Sequence, residues 1–172
     1  MGKLGVLARS MDGAYERLRD RLDGIGEDEF FWLPVANAWT IHEARPGRWT
    51  YDYAIPDPTP APLTTIAWQV VHLGTTRLMY HDWAYGEARL TFPDIDIPHD
   101  IPGTFDLLQR GFDLLREDLE NESDETLDQP RKTNWGEEWP AWRIFAEMTD
   151  HDALHTGAIG VLRDLYYWTT HS

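Results

Sequence analysis

The chain has 172 residues, no cysteine and a formal net charge of -15 at pH 7. The lack of cysteine excludes disulfides, zinc–thiolate sites and cysteine nucleophiles, and the acidic charge argues against a nucleic-acid partner. The sequence contains no run of about 18 apolar residues, so no membrane span is expected. We expect one domain over residues 1–172, with a core large enough to need no disulfides, in a cytoplasmic protein without a signal peptide.

The first predicted helix covers about residues 3–25, where apolar side chains recur every three or four positions until Gly24 and Gly26. A long connection rich in proline and aromatic residues follows over residues 26–62. A connection this long in a compact domain is typical of a segment that covers a pocket or bridges a bundle. Its aromatic side chains are therefore expected to line a pocket mouth or to stack on the outer core: Trp32, Trp39, Trp49, Tyr51 and Tyr53.

Two features of this connection allow sharper expectations. The alternation of Trp49, Tyr51 and Tyr53 with polar residues predicts a short strand or an extended arm. Arg45 and Arg48 are candidates for holding a substrate carboxylate, with surface salt bridges as the alternative.

The next two helices are predicted at about residues 63–83 and 101–121. Thr64 or Thr65 is the expected N-cap of the first of them. The proline-containing residues 85–100 between the two helices read as a loop.

The last predicted helix runs from about residue 139 to 168, after a polar link over residues 122–138. Four amphipathic helices with a long crossing between the first two predict an all-α fold, a four-helix bundle. Metal sites in such bundles are built in the core from side chains on facing helices.

The last helix carries the most informative motif, His151-Asp152-Ala153-Leu154-His155. Residues four apart share one face of a helix, so both imidazoles point the same way. They lie on an apolar stripe with the spacing of a core-facing seam: Ile144, Met148, His151, His155, Ala158, Leu162 and Leu165. Two neutral imidazoles on one face supply half of a tetrahedral metal site.

His72 is the best candidate for a third ligand, because it lies in the middle of the second long helix between Val71 and Leu73. His81 is about half a turn away on the same helix and faces elsewhere. The other histidines lie in loops or near the C-terminus: His42, His99 and His171.

Two alternatives stay open for these residues. The histidines could form a hydrogen-bonded core network with Asp150 and Asp152 instead of a metal site. Glu147, one turn before His151, could be a fourth ligand, an acceptor for an imidazole N–H, a general base or a solvated residue at the helix edge.

The chain resembles the DinB-like superfamily of damage-inducible-type four-helix bundles. The resemblance rests on His72 in residues 65–73, on His151-x-x-x-His155-x-Gly157, on Phe31-Trp32-Leu33-Pro34, and on the helix ending at residues 160–166. It implies an up-down-down-up bundle whose metal ligands are His72, His151 and His155. Ala158 stands where several members carry Gln or Glu, which removes one polar contact near the site and puts the specific reaction in doubt.

The superfamily includes bacillithiol- and mycothiol-dependent S-transferases and maleylpyruvate isomerases. The resemblance therefore implies an enzyme that uses a divalent metal ion, Zn or Ni, to activate or transfer a low-molecular-weight thiol, with Glu147 as a candidate catalytic residue. The alternatives are a metal-dependent hydrolase and a non-enzymatic metal- or ligand-binding stress protein. A homodimer is a further expectation, since relatives pair.

Overall fold

The computed structural model describes residues 2–56 and 58–171 and is mostly helical, with two small two-stranded sheets. The four long helices are α1 (Lys3–Leu22), α3 (Ile66–Tyr85), α4 (Ile101–Glu120) and α5 (Ala141–Thr170). The shorter elements are α2 (Glu27–Phe30), β1 (Ile41–Arg45), β2 (Arg48–Tyr51), β3 (Pro130–Lys132), β4 (Glu138–Pro140) and 3₁₀ turns at Phe92–Asp94 and Thr126–Asp128.

Local signals at the helix ends explain these bounds. The Thr65 side chain accepts a hydrogen bond from the Trp68 amide at 3.1 Å, which confirms a threonine cap for α3. Asp100 caps α4 in the same way, through the Gly103 amide at 2.8 Å. Helix α1 ends at Leu22, before the predicted residue 25, since Gly24 has a φ of +68° that no helix continues.

The predicted helical fold is confirmed in its main part, and two small sheets are added to it. The strand predicted in the long connection is present: β1 and β2 form an antiparallel hairpin with Gly47 in its turn, and Ile41 pairs with Tyr51. The β3–β4 hairpin lies at the end of the polar link 122–138, where no strand was predicted. Strands of three residues are too short for an alternating pattern to be recognised.

The long helices pack against one another around the core. Helix α1 packs on α5, and α3 packs on both α4 and α5. The α3–α4 contact is close, because a Cβ built on Gly111 would lie 2.9 Å from Cβ of Arg77 and 3.0 Å from the carbonyl oxygen of Gly74. No helix in the described part of the chain is long and apolar enough to cross a membrane.

A buried ion pair joins α3 to α5 beside the core. Arg77 is 1% exposed and donates through Nη2 to Oδ1 of Asp152, which is also buried. The guanidinium lies 5.1 Å from the ring centroid of Tyr15 on α1. Because lone charges in a protein interior are costly, this pair fixes how the two helices meet.

The apolar stripe of α5 is core-facing only as far as Leu162. Ile144 and Ile159 are fully buried, whereas Leu165 is 45% exposed and Trp168 is 69% exposed. The predicted stripe therefore included one residue too many, Leu165. The last turns of this 30-residue helix extend beyond the helices that bury its middle.

Candidate metal centre

Three histidines from two helices converge at one point. The Nε2 atom of His151 on α5 lies 3.1 Å from Nε2 of His72 on α3 and 2.9 Å from Nε2 of His155. One ring nitrogen from each residue lies within 4.8 Å of the other two. The spacing of four residues on α5 places two rings on one face, and the packing of α3 against α5 brings the third to them.

Aromatic contacts hold the His72 ring. The Trp68 indole, one turn earlier on α3, stacks on it with centroids 4.6 Å apart and an interplanar angle of 13°. Tyr51 from the β1–β2 hairpin meets the same ring edge-on, with centroids 6.5 Å apart. The long connection therefore contributes to the site by supporting the His72 ring.

A glutamine fixes the orientation of His155. Gln69 Nε2 donates to the Thr64 hydroxyl at 2.6 Å, so its Oε1 is directed at His155 and accepts a hydrogen bond from Nδ1 of that ring. An amide oxygen can only accept, which places the His155 proton on Nδ1 and leaves the Nε2 lone pair available. This is the tautomer that a metal bound at Nε2 requires.

Burial keeps all three rings neutral. It lowers the pKa of His151 to about 4, with the Arg77 charge as the second cause. It lowers the pKa of His155 to about 3, assisted by His151 and Arg77, and it holds the pKa of His72 well below the ordinary value. Neutral imidazole is the form that binds metal ions.

The convergence of these lone pairs fits a metal ion better than a hydrogen-bonded network. Because the His155 proton is on Nδ1, the Nε2 atom of that ring can only accept a hydrogen bond. In a network, a single proton on His151 Nε2 would therefore have to serve the short contacts to both His72 and His155. Tetrahedral zinc with Zn–N bonds of 2.0–2.1 Å separates its nitrogens by about 3.3 Å, close to the observed spacing.

A pocket of about 300 Å³ opens beside His72 and His151. Its wall combines aromatic and sulfur-containing side chains with two carboxylates from the turn of α5 that precedes His151. These lining residues are Tyr53, Phe92, Trp135, Met79, Met148, Glu147 and Asp150. The pocket therefore gives a small molecule access to His72 and His151, whereas His155 is buried.

Glu147 lines this pocket, but its carboxylate is not part of the three-histidine group. Arg143, one turn earlier on α5, contacts Oε1 of Glu147 through Nε at 3.2 Å. No contact between this carboxylate and an imidazole is found among the described residues, and its predicted catalytic role stays a prediction.

The remaining histidines lie elsewhere. His81 contacts Asp118 on α4 through Nδ1 at 2.7 Å, as expected for a residue on another face of α3. His99 stacks on Trp49 and His171 on Tyr167, whereas His42 lies 3.7 Å from Asp52.

The aromatic residues of the long connection divide between the two predicted roles. Tyr53 lines the pocket, whereas Trp32 packs on Tyr166 and Trp39 on Trp68. Arg48 forms a surface ion pair with Asp96, and neither it nor Arg45 lines the pocket. Arg48 therefore fits the predicted alternative of a surface salt bridge, and neither arginine is placed to hold a carboxylate in this pocket.

Sequence reasoning missed Gln69, which orients His155, and Arg77, whose charge helps to lower the pKa of His151 and His155. Both are polar residues in the largely apolar helix α3, and both are buried. A polar side chain in such a segment is a signal that it has a partner, because unpaired buried polar groups are costly.

In a comparison with protein families, the model of the DinB superfamily aligns with residues 10–159, a span that includes all three histidines. A search of curated proteins gave no significant match.

Proposed function

We propose that this chain, which belongs to the DinB superfamily, binds a divalent metal ion through His72, His151 and His155 and uses it to activate a low-molecular-weight thiol for transfer. The observation that carries the proposal is the convergence of three neutral imidazole nitrogens at the end of an open pocket. Three protein ligands leave a coordination position free, which is the pattern of catalytic rather than structural metal sites.

A metal ion in this position would supply Lewis acidity that lowers the pKa of a bound thiol. Zinc or nickel suits a site of three imidazoles. Gln69 orients His155, and Trp68 holds the plane of His72. The chain thus provides a rigid ligand set with room for a small substrate.

The proposed transfer forms a bond between the thiol sulfur and an electrophilic carbon of a second substrate. The same carbon loses its leaving group, and the thiol proton passes to a carboxylate of the pocket wall. Glu147 is the candidate acceptor, since it lines the pocket one turn before His151. Hydrolysis by the same site is the alternative, in which water takes the place of the thiol.

We further infer an up-down-down-up bundle for α1, α3, α4 and α5, with both sheets as additions to one domain. The support is the order of the contacts between helices. Later residues of α3 contact earlier residues of α5, so these two helices are antiparallel. Later residues of α3 contact later residues of α4, so these two helices are parallel. The α3–α5 pairs are Gln69–His155 and Arg77–Asp152, and the α3–α4 pairs are Arg77–Leu108 and His81–Asp118. Opposite order also relates α1 to α4, through Asp12–Arg116 and Tyr15–Gln109.

Elemental analysis of the purified protein tests the metal site. After incubation with Zn²⁺ and removal of free metal, we expect near one equivalent in the wild type and far less in His72→Ala and His155→Ala. His99→Ala is the matched control, because His99 is exposed and stacks on Trp49 away from the site. Absence of metal in the wild type, or equal loss in the control, would remove the proposal.

A panel of reactions on the zinc-loaded protein then separates thiol transfer from hydrolysis. Thiol-dependent consumption of an alkylating electrophile, lost in His155→Ala, is the expected result. Ester or amide hydrolysis without thiol would favour the alternative, and metal binding without any turnover would favour a binding protein.

A further inference from the structure

The pocket beside the histidines has a charge and hydrogen-bonding pattern that favours one class of thiol. We propose, as an extension of the proposed function, that it selects a small thiol carrying a protonated amine over one carrying a carboxylate. The metal would hold the sulfur of either compound, so the group at the other end of the substrate decides between them.

The first support is the charge of the pocket wall. Glu147 and Asp150 both line it, and no lysine or arginine among the described residues does so. Arg143 contacts one oxygen of Glu147 and lies outside the lining, whereas Asp150 has no ion-pair partner in the described ranges. An ammonium group would supply the opposite charge that Asp150 lacks, whereas a carboxylate would meet two like charges at this wall.

The second support is a pair of polar atoms that lack partners. Oγ1 of Thr76 and Oδ1 of Asn134 are buried, and neither has a hydrogen-bond partner within residues 2–56 and 58–171. Both residues line the pocket. An amide oxygen accepts hydrogen bonds and a hydroxyl oxygen can do so, which means that both atoms suit a ligand rich in donors. An ammonium group has three donors and no acceptor.

The third support is the aromatic lining. Tyr53, Phe92 and Trp135 border the same cavity, and the indole N–H of Trp135 donates to the Tyr80 hydroxyl at 3.1 Å, which fixes that ring. Aromatic rings beside carboxylates are a recurrent environment for organic cations. The volume of about 300 Å³ admits only a small molecule.

The test uses protein loaded with Co²⁺, whose thiolate charge-transfer absorption reports binding directly and without turnover. Cysteamine, 2-mercaptoethanol and mercaptoacetate are titrated at pH 7, and each dissociation constant is corrected for the thiolate fraction of the free compound. We expect cysteamine to bind about tenfold more tightly than mercaptoacetate, with 2-mercaptoethanol between them.

Variants separate a local subsite from the overall charge of -15. Asp150→Asn is expected to reduce the ratio of cysteamine to mercaptoacetate affinity about threefold. Asp164→Asn, an equal charge change at an exposed position farther along α5, is the matched control and should leave the ratio unchanged.

Each outcome has a separate meaning. Failure to load Co²⁺ would overturn the proposed function itself. Loading with equal affinities for the three thiols, or with mercaptoacetate preferred, would overturn only the amine selectivity. Equal shifts in Asp150→Asn and Asp164→Asn would attribute the preference to the overall charge and would overturn the subsite.

Discussion

Gln69 accepts a hydrogen bond from Nδ1 of His155, a residue 86 positions later in the chain. The contact joins α3 to α5 about one helical turn away from the His72–His151 contact. A single glutamine therefore sets both the ring orientation and the tautomer of one candidate ligand, while its own amide group is held by Thr64. Such outer contacts raise the basicity of a metal-binding imidazole and limit its motion.

Replacement of this acceptor is expected to weaken metal binding without removing any ligand. Gln69→Leu should raise the zinc dissociation constant about 10- to 100-fold, because the His155 ring loses its fixed tautomer. Competition with a chromophoric chelator measures the constant. Gln69→Glu keeps an acceptor at the same position and should bind zinc at least as tightly as the wild type.

The exposed Gln129 provides the control for this substitution. Gln129→Leu should leave the zinc constant unchanged. An unchanged constant in Gln69→Leu would show that packing around His155 alone is sufficient to orient the ring.

The depressed pKa of His151, about 4 in the folded chain, predicts a pH dependence of stability in the metal-free protein. In the unfolded chain this imidazole takes up a proton below about pH 6.5, whereas in the fold it stays neutral until about pH 4. Its contribution to stability is therefore complete above pH 6.5 and is lost as the pH falls towards 4.

Urea denaturation at pH 7 and pH 5, in the presence of a chelator, measures this effect. Between these values the wild type should lose about 2 kcal/mol more than His151→Asn, because that variant has no imidazole to protonate on unfolding. The difference between the two proteins cancels the titration of the shared groups whose pKa does not depend on His151. Equal losses in both would mean that His151 is protonated in the fold at pH 5.

The sequence predicted the elements of this site better than it predicted their surroundings. The spacing of His151 and His155 placed two rings on one face, and the position of His72 between apolar neighbours indicated a buried third. The family resemblance is confirmed by the match over residues 10–159. Helical periodicity is a local property, which explains why the four long helices were recognised within a few residues of their bounds.

The contacts that orient the histidines were not predictable, because they depend on which residues of different helices meet. Arg77 and Asp152 are 75 positions apart, and nothing in the local pattern pairs them. The β3–β4 hairpin was missed for a different reason, since its three-residue strands carry too little alternation to be distinguished from a polar loop. It matters to the site, because Asn134 and Trp135 in its turn line the pocket.

The Arg77–Asp152 pair is expected to be far more sensitive to the loss of one partner than to the loss of both. Arg77→Met should lower the free energy of unfolding by about 3–5 kcal/mol, because it leaves a buried carboxylate without its countercharge. Arg77→Met/Asp152→Leu should recover much of that loss. Chemical denaturation of the wild type, both single variants and the double variant gives the coupling energy.

A surface ion pair serves as the comparison. Asp12 and Arg116 join α1 to α4 at 2.8 Å, with the Asp12 side chain half exposed. Asp12→Asn should cost less than about 1 kcal/mol. A single Arg77 variant no more destabilised than this one would contradict the interpretation of the buried pair.

Two glycines within helices are expected to respond to alanine with opposite signs. At Gly111 on α4, a new Cβ would meet Cβ of Arg77 at 2.9 Å and the Gly74 carbonyl oxygen at 3.0 Å, neither of which is the end of a flexible side chain. At Gly157 on α5 a Cβ would meet nothing within 4 Å in the described part of the chain. Gly157→Ala should therefore raise the free energy of unfolding by up to about 1 kcal/mol through helix propensity alone.

In Gly111→Ala the same gain in propensity is opposed by the cost of forcing α3 and α4 apart, typically about 1–3 kcal/mol, so the net change should be destabilising. Because α3 carries His72 and Arg77, the displacement should also weaken zinc binding in Gly111→Ala, whereas zinc binding in Gly157→Ala should stay unchanged. Thermal unfolding and zinc competition on the same two variants measure both quantities. Stabilisation by both alanines would show that the α3–α4 contact can relax without cost, and that its closeness does not determine where His72 lies.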